Sequence, residues 1–193
     1  MASKLLKSIA LAAIVAMTSC TFRSQPPSND QVFVSNEATG TVAVVDGATG
    51  RIDGQLATGA RPRGMAFSPD GKTFYVAASN ANRIEAWNVS SHKLLRYLNS
   101  GPDPERFAVS PDGKTIYIAN EDDSAVSFLD LASGKITREV KVGPEPEGVG
   151  VSPDGKLVVA TSETANLAHF IDATAANCST ASRSAAGPAS CCS

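Results

Sequence analysis

The side chains best suited to recognition chemistry lie in short charged segments: Arg61 and Arg63, then Asp103, Glu105 and Arg106, then Glu121, Asp122 and Asp123, then Glu145 and Glu147. Carboxylate and guanidinium groups can bind a charged small molecule or a partner surface through charge-assisted hydrogen bonds. The competing reading is ordinary solvated loop charge, because loops carry both function and solubility. Catalysis has less to build on. No Ser-His-Asp set, phosphate loop or clustered metal-ligand pattern stands out, and no Cys-x-x-Cys-His offers covalent haem attachment. The acidic run Glu121 to Asp123 could hold Ca²⁺ but lacks the ordered EF-hand spacing. The two histidines stand apart, with His92 expected in a turn and His169, beside Phe170, expected to pack rather than to ligate. No catalytic residue, metal or cofactor is therefore expected. The chain is read as a non-catalytic binding or scaffold module, with a cofactor-handling or oxidoreductase-type domain as the alternative.

The elements that must position these charges repeat along the chain. Ser-Pro-Asp-Gly occurs at Ser68, Ser110 and Ser152, each copy 42 residues after the last. Gly59, Gly101 and Gly143 keep the same step, as do Pro62, Pro104 and Pro146. So do Asp46, Asn88, Asp130 and Asp172, and the series Phe33, Tyr75, Tyr117 and Val159. A period of this length without long helical patterning predicts an all-β fold, a β-propeller whose blades are four antiparallel strands. Strand A is expected at 65–67, 107–109 and 149–151, and strand B at 73–78, 115–120 and 157–162. Strand C is expected at 83–89, 125–131 and 168–173, and strand D at 51–58, 93–99 and 135–142. Ser-Pro-Asp-Gly supplies the turn from A to B, since Pro, Asp and Gly each favour turn backbone. Antiparallel strands then put the D-to-A and B-to-C loops on one face, which gathers all ten charged residues named above into one candidate partner or ligand face.

Tyr75-Val76-Ala77-Ala78, Tyr117-Ile118-Ala119-Asn120 and Phe33-Val34-Ser35-Asn36 resemble the signature of YVTN-type β-propellers. The stretches 100–105, 120–123 and 162–172 are more specifically similar to the β-propeller proteins associated with PQQ-dependent alcohol catabolism, over about residues 31–173. That resemblance implies an exported, seven-bladed protein set beside quinoprotein dehydrogenases and c-type cytochromes, either of which would be its partner. Cys191 and Cys192 are similar to the vicinal pair of some quinoprotein dehydrogenases, but the single Trp87 cannot supply their repeated tryptophan docking pattern.

The N-terminus agrees with export. Lys4 and Lys7 precede a short apolar run, Ile9 to Met17, which ends in Met17-Thr18-Ser19-Cys20. The run is too short for a membrane span, so residues 1–19 are expected to be a signal peptide. Cys20 is expected to be the lipidated first residue, with ordinary cleavage as the alternative, and 20–30 a tether to the membrane. The location implied is periplasmic or extracytoplasmic. With 17 basic and 19 acidic residues the chain lacks the basic stripe that nucleic-acid binding needs.

From residue 174 strand patterning stops, and 174–193, with Cys178, Cys191 and Cys192, is expected to be a disordered tail read out of frame. Codons can be chosen so that another frame gives HGGKLFDSVPVGRRPR, whose turn, Gly and Pro fall 42 residues after Gly134-Lys135, Gly143 and Pro146. The repeat region supplies strands B to D of one blade, two full blades and part of another, about three blades in all. That is an incomplete ring, expected to be poorly stable or self-associating.

Overall fold

The computed structural model describes residues 30–175 and, beyond them, the backbone of 180–184 and 190–191. The expected signal peptide and Cys20, most of the tether, and Cys178 and Cys192 lie outside the described residues. The chain is all-β, as the repeat predicts, and among the described residues every strand pairing is antiparallel.

The first sheet holds β1 (Gln31–Asn36), β2 (Thr41–Asp46) and β3 (Ile52–Ala57). The second holds β4 (Pro62–Phe67), β5 (Thr73–Ala78), β6 (Arg83–Asn88) and β7 (Leu94–Asn99). The third holds β8 (Pro104–Val109), β9 (Thr115–Asn120), β10 (Ala125–Asp130) and β11 (Lys135–Lys141). The fourth holds β12 (Pro146–Val151), β13 (Leu157–Ser162), β14 (Leu167–Asp172), β15 (Thr180–Ser184) and β16 (Ser190–Cys191). Successive inner strands β1, β4, β8 and β12 pack side by side, so the four sheets form an arc of blades.

Strand B falls where the sequence places it, whereas strand A begins earlier, at the prolines, with the pairing shifted after Pro62, Pro104 and Pro146. A proline lacks the N–H that a ladder needs, and such an irregular strand start accommodates it. The tail also differs from expectation. Where a disordered tail was expected, β15 pairs with β14 in the place of strand D. The open edge of β14 offers backbone N–H and C=O groups, and an extended segment satisfies them whatever its side-chain pattern.

Each Ser-Pro-Asp-Gly turn closes in the same way. The Ser68 hydroxyl donates to Asp70 at 2.6 Å and accepts from the Thr73 N–H at 3.0 Å, and the copies at Ser110 and Ser152 repeat both contacts. His92 takes a left-handed φ of 55°, where Gly50 and Gly134 have 71° and 69°, so it is the turn residue that the repeat predicts.

Three cores fill the spaces between sheets. Val42, Val44, Leu56, Phe74, Val76 and Trp87 lie between the first and second. Tyr75, Ile84, Leu98, Phe107, Ile116 and Leu129 join the second to the third, and Tyr117, Val126, Phe128, Val158 and Ile171 the third to the fourth. Tyr75 and Tyr117 thus face the blade that follows them. Arg96 and Arg138, one repeat apart, each reach across to the next blade, donating to the Leu131 carbonyl at 2.5 Å and to the Asp172 carbonyl at 3.1 Å. On the first sheet Val32 and Val34 occupy the repeat positions of Ile116 and Ile118, yet they are 51% and 48% exposed, because they face away from the second sheet.

Candidate binding face

The D-to-A loops bring Arg61, Asp103 and Glu145 to one position in three successive blades. All three have left-handed backbone, with φ of 57°, 42° and 53°, immediately before the proline or residue that opens the inner strand. Two residues on, Arg63, Glu105 and Glu147 lie in the inner strands β4, β8 and β12. The repeat therefore presents two ranks of charge, basic on the second blade and acidic on the third and fourth.

Arg61 donates through Nη1 to both oxygens of Asp103 at 3.2 Å and through Nη2 to Glu105 Oε1 at 3.2 Å. Its Nε lies 3.8 Å from Glu37. Arg63 pairs through Nε with Glu105 Oε2 and lies 3.7 Å from Glu37. Glu105 is only 1% exposed at its side chain, so it ties two blades together from a largely dehydrated position. Glu37 was not among the sequence candidates. It lies 84 residues before Glu121 and 126 before Glu163, two and three steps of the repeat with Ser79 at the step between, and that register was the signal available.

On the other side of Glu105, carboxylate oxygens of Asp103, Glu105 and Glu121 all lie within 4.8 Å of one another. Burial pushes the Glu105 carboxyl up to about 7; its hydrogen bond with Glu121 and the charge of Glu121 add to this, while Arg63 and Arg61 oppose it. The spacing of the three carboxylates would suit a cation, but the guanidinium groups of Arg61 and Arg63 already share this charge, so the set reads as an ion-pair network. One blade further, the charge of Glu147 and a hydrogen bond with it raise the Glu163 carboxyl, which is exposed.

Not every predicted residue joins the network. Arg106 and Asp122 are exposed, and Asp123 meets Lys141 only through its backbone carbonyl, at 2.9 Å. Glu145 is exposed and bonds the Thr164 hydroxyl. His169 is buried as expected, but it also accepts the Gly143 N–H through Nε2 at 2.9 Å, which fixes its other nitrogen as the protonated one. Burial lowers its pKa. In the second blade the equivalent task falls to Glu85, buried and absent from the sequence candidates, which accepts the Gly59 N–H at 3.0 Å and Arg83 at 2.7 Å. These contacts clasp the D-to-A loops to strand C, and so position the charges above them.

The family described as lactonase, 7-bladed beta-propeller, matches residues 27–188. The chain belongs to the lactonase seven-bladed β-propeller family. Among solved structures it is similar to hydrazine synthase of Kuenenia stuttgartiensis, with 27% identity and a TM-score of 0.67 over 76% of this chain. It spans 44% of that protein's chain, less than half its length. No curated protein matches. Membership of the lactonase propeller family accounts for the succession of antiparallel blades. It does not by itself assign an activity, since one fold hosts many.

Proposed function

We propose that this lactonase-family propeller is a binding module whose charged face docks a partner rich in lysine or arginine. One observation carries the reading. Arg61 and Arg63 are both occupied by Glu37, Asp103 and Glu105, whereas Glu121, Glu145, Glu147 and Glu163 have no basic side chain within 4.0 Å among the described residues. The face is therefore acidic once its internal pairs are counted, and complementary charge would steer and orient a cationic surface. The resemblance to propellers associated with PQQ-dependent alcohol catabolism supports an extracytoplasmic setting and a quinoprotein dehydrogenase or c-type cytochrome as the partner, and the sequence Met17-Thr18-Ser19-Cys20 supports a lipid anchor at Cys20. Fluorescence anisotropy with labelled hexalysine and hexaglutamate tests the charge sign. Hexalysine should bind and be released by salt, and preferential binding of hexaglutamate would overturn the reading.

The family's name supports a second reading, hydrolysis of a lactone ring. Burial raises the Glu105 carboxyl to about 7, a value a general base can use, but the side chain is 1% exposed and held by Arg61 and Arg63, so this reading requires those contacts to open. Turnover of a simple lactone that disappears in Glu105→Gln would favour this reading over docking alone.

A further inference from the structure

We propose that Glu105 and Glu121 hold one proton between them at neutral pH, and that docking a cation on this face releases it to solvent. The inference deepens the docking reading and rests on it for the release step, but the shared proton stands by itself.

The charge count around Glu105 leads there. Two guanidinium groups from the second blade, Arg61 just before β4 and Arg63 within it, face it, and they are divided among Glu105, Asp103 and Glu37. Glu121, from the loop between β9 and β10, is a further carboxyl within 4.8 Å of both Asp103 and Glu105; its charge reaches Arg61, but among the described residues no Lys or Arg side chain lies within 4.0 Å of it. The fourth blade, whose inner strand packs against β8, brings the carboxyls Glu145, Glu147 and Glu163 to this face. Among the described residues, no Lys or Arg other than Arg61 and Arg63 lies within 4.0 Å of the carboxylates of Asp103, Glu105 or Glu121. Glu105 cannot turn to water, because it is 1% exposed and held by both arginines. Two carboxyls within 4.8 Å of each other, one of them dehydrated, are stabilised by keeping a single proton between them, and the pair then titrates as a unit.

The pair's role follows from its position on the acidic face. A lysine or arginine brought beside Glu121 supplies the missing positive charge, and the proton leaves. Docking then strengthens as pH rises through neutrality and weakens on acidification. The device makes the affinity of the face depend on pH in a range where isolated carboxyls are already fully ionised.

The carboxyl carbons of Glu105 and Glu121 can be followed by ¹³C NMR titration of the whole chain. The expected result is a midpoint near 7 that falls toward the ordinary carboxyl range in Glu121→Gln, where the like charge is gone and both arginines remain. Arg63→Gln should move the midpoint the other way. An ordinary carboxyl midpoint in the unaltered chain, or one unmoved by Glu121→Gln, overturns the shared proton. Hexalysine binding tests the coupling. Affinity should rise by roughly three-fold between about pH 6 and about pH 8 in the unaltered chain and lose that dependence in Glu121→Gln. A neutral midpoint without hexalysine binding would sink the docking reading and leave the shared proton, and binding with an ordinary midpoint would do the reverse.

Discussion

Glu105 with Glu121, and Glu147 with Glu163, occupy the same two positions of the repeat one blade apart, and in both pairs the neighbouring carboxyl helps to raise the pKa of its partner. Their surroundings differ. The first pair has two arginines on the preceding blade and a buried member; the second has the acidic third blade before it, and Glu163 lies in solvent. The leading cause of the shift differs in turn, burial for Glu105 and the neighbouring charge of Glu147 for Glu163. Equivalent backbone thus gives one internal ion-pair network and one open acidic rim. The interior pair is suited to tying blades and holding a proton, and the rim to meeting a partner.

The largest effect that would break this contrast is on stability. Arg63→Ala leaves Glu105 dehydrated with Arg61 alone and should cost on the order of 2–3 kcal/mol, below the full cost of orphaning a buried charge because one guanidinium remains. Glu163→Gln, a surface change, should shift urea unfolding by less than about 0.5 kcal/mol. Equal costs would mean that the two pairs are not distinguished by burial.

The next effect is on pH dependence. The Glu105 carboxyl is raised in the folded chain, so the folded state holds a proton that the unfolded state has lost. Its favourable contribution is complete below the ordinary glutamate range and fades as pH rises toward about 7. Urea midpoints measured across that window should decline with rising pH, and Glu105→Gln should remove this part of the slope. His169 works on the opposite side. Its pKa is lowered by burial, so its contribution is complete above the ordinary histidine value and is lost as pH falls below it. His169→Phe should cost about 1 kcal/mol through the Gly143 N–H left without its acceptor, and should flatten the acid side of the same curve.

The smallest expected effect sharpens the contrast from outside. Asp122→Asn and Arg106→Gln alter exposed charges that join neither pair, and each should leave unfolding within about 0.5 kcal/mol of the unaltered chain while changing hexalysine affinity only slightly. A large loss of binding in either would move the docking surface away from the paired carboxyls.

Much of the scaffold can be read from the sequence, because a strand period and a turn signature are local properties. Strand B and the position of His92 follow from the 42-residue step. The start of strand A does not, since an apolar run marks where side chains pack while the pairing begins earlier, at Pro62, Pro104 and Pro146. The tail strand β15 is equally hidden, because it answers the open backbone of β14 and not a side-chain pattern. Of the site, the sequence names Arg61, Arg63, Asp103, Glu105, Glu121 and Glu147, but misses Glu37, Glu85 and Glu163. Glu37 and Glu85 each work across a gap between segments that are distant along the chain, and Glu163 shares the repeat position of Glu121.

The sequence by itself determined that the charged loops share a face, because antiparallel strands of fixed period return alternate loops to the same side. Only the tertiary structure decided which of two identical carboxyl pairs is dehydrated and tied to arginine. Desolvation and pairing depend on which blade stands alongside, and a repeat gives every blade the same local plan but not the same neighbours.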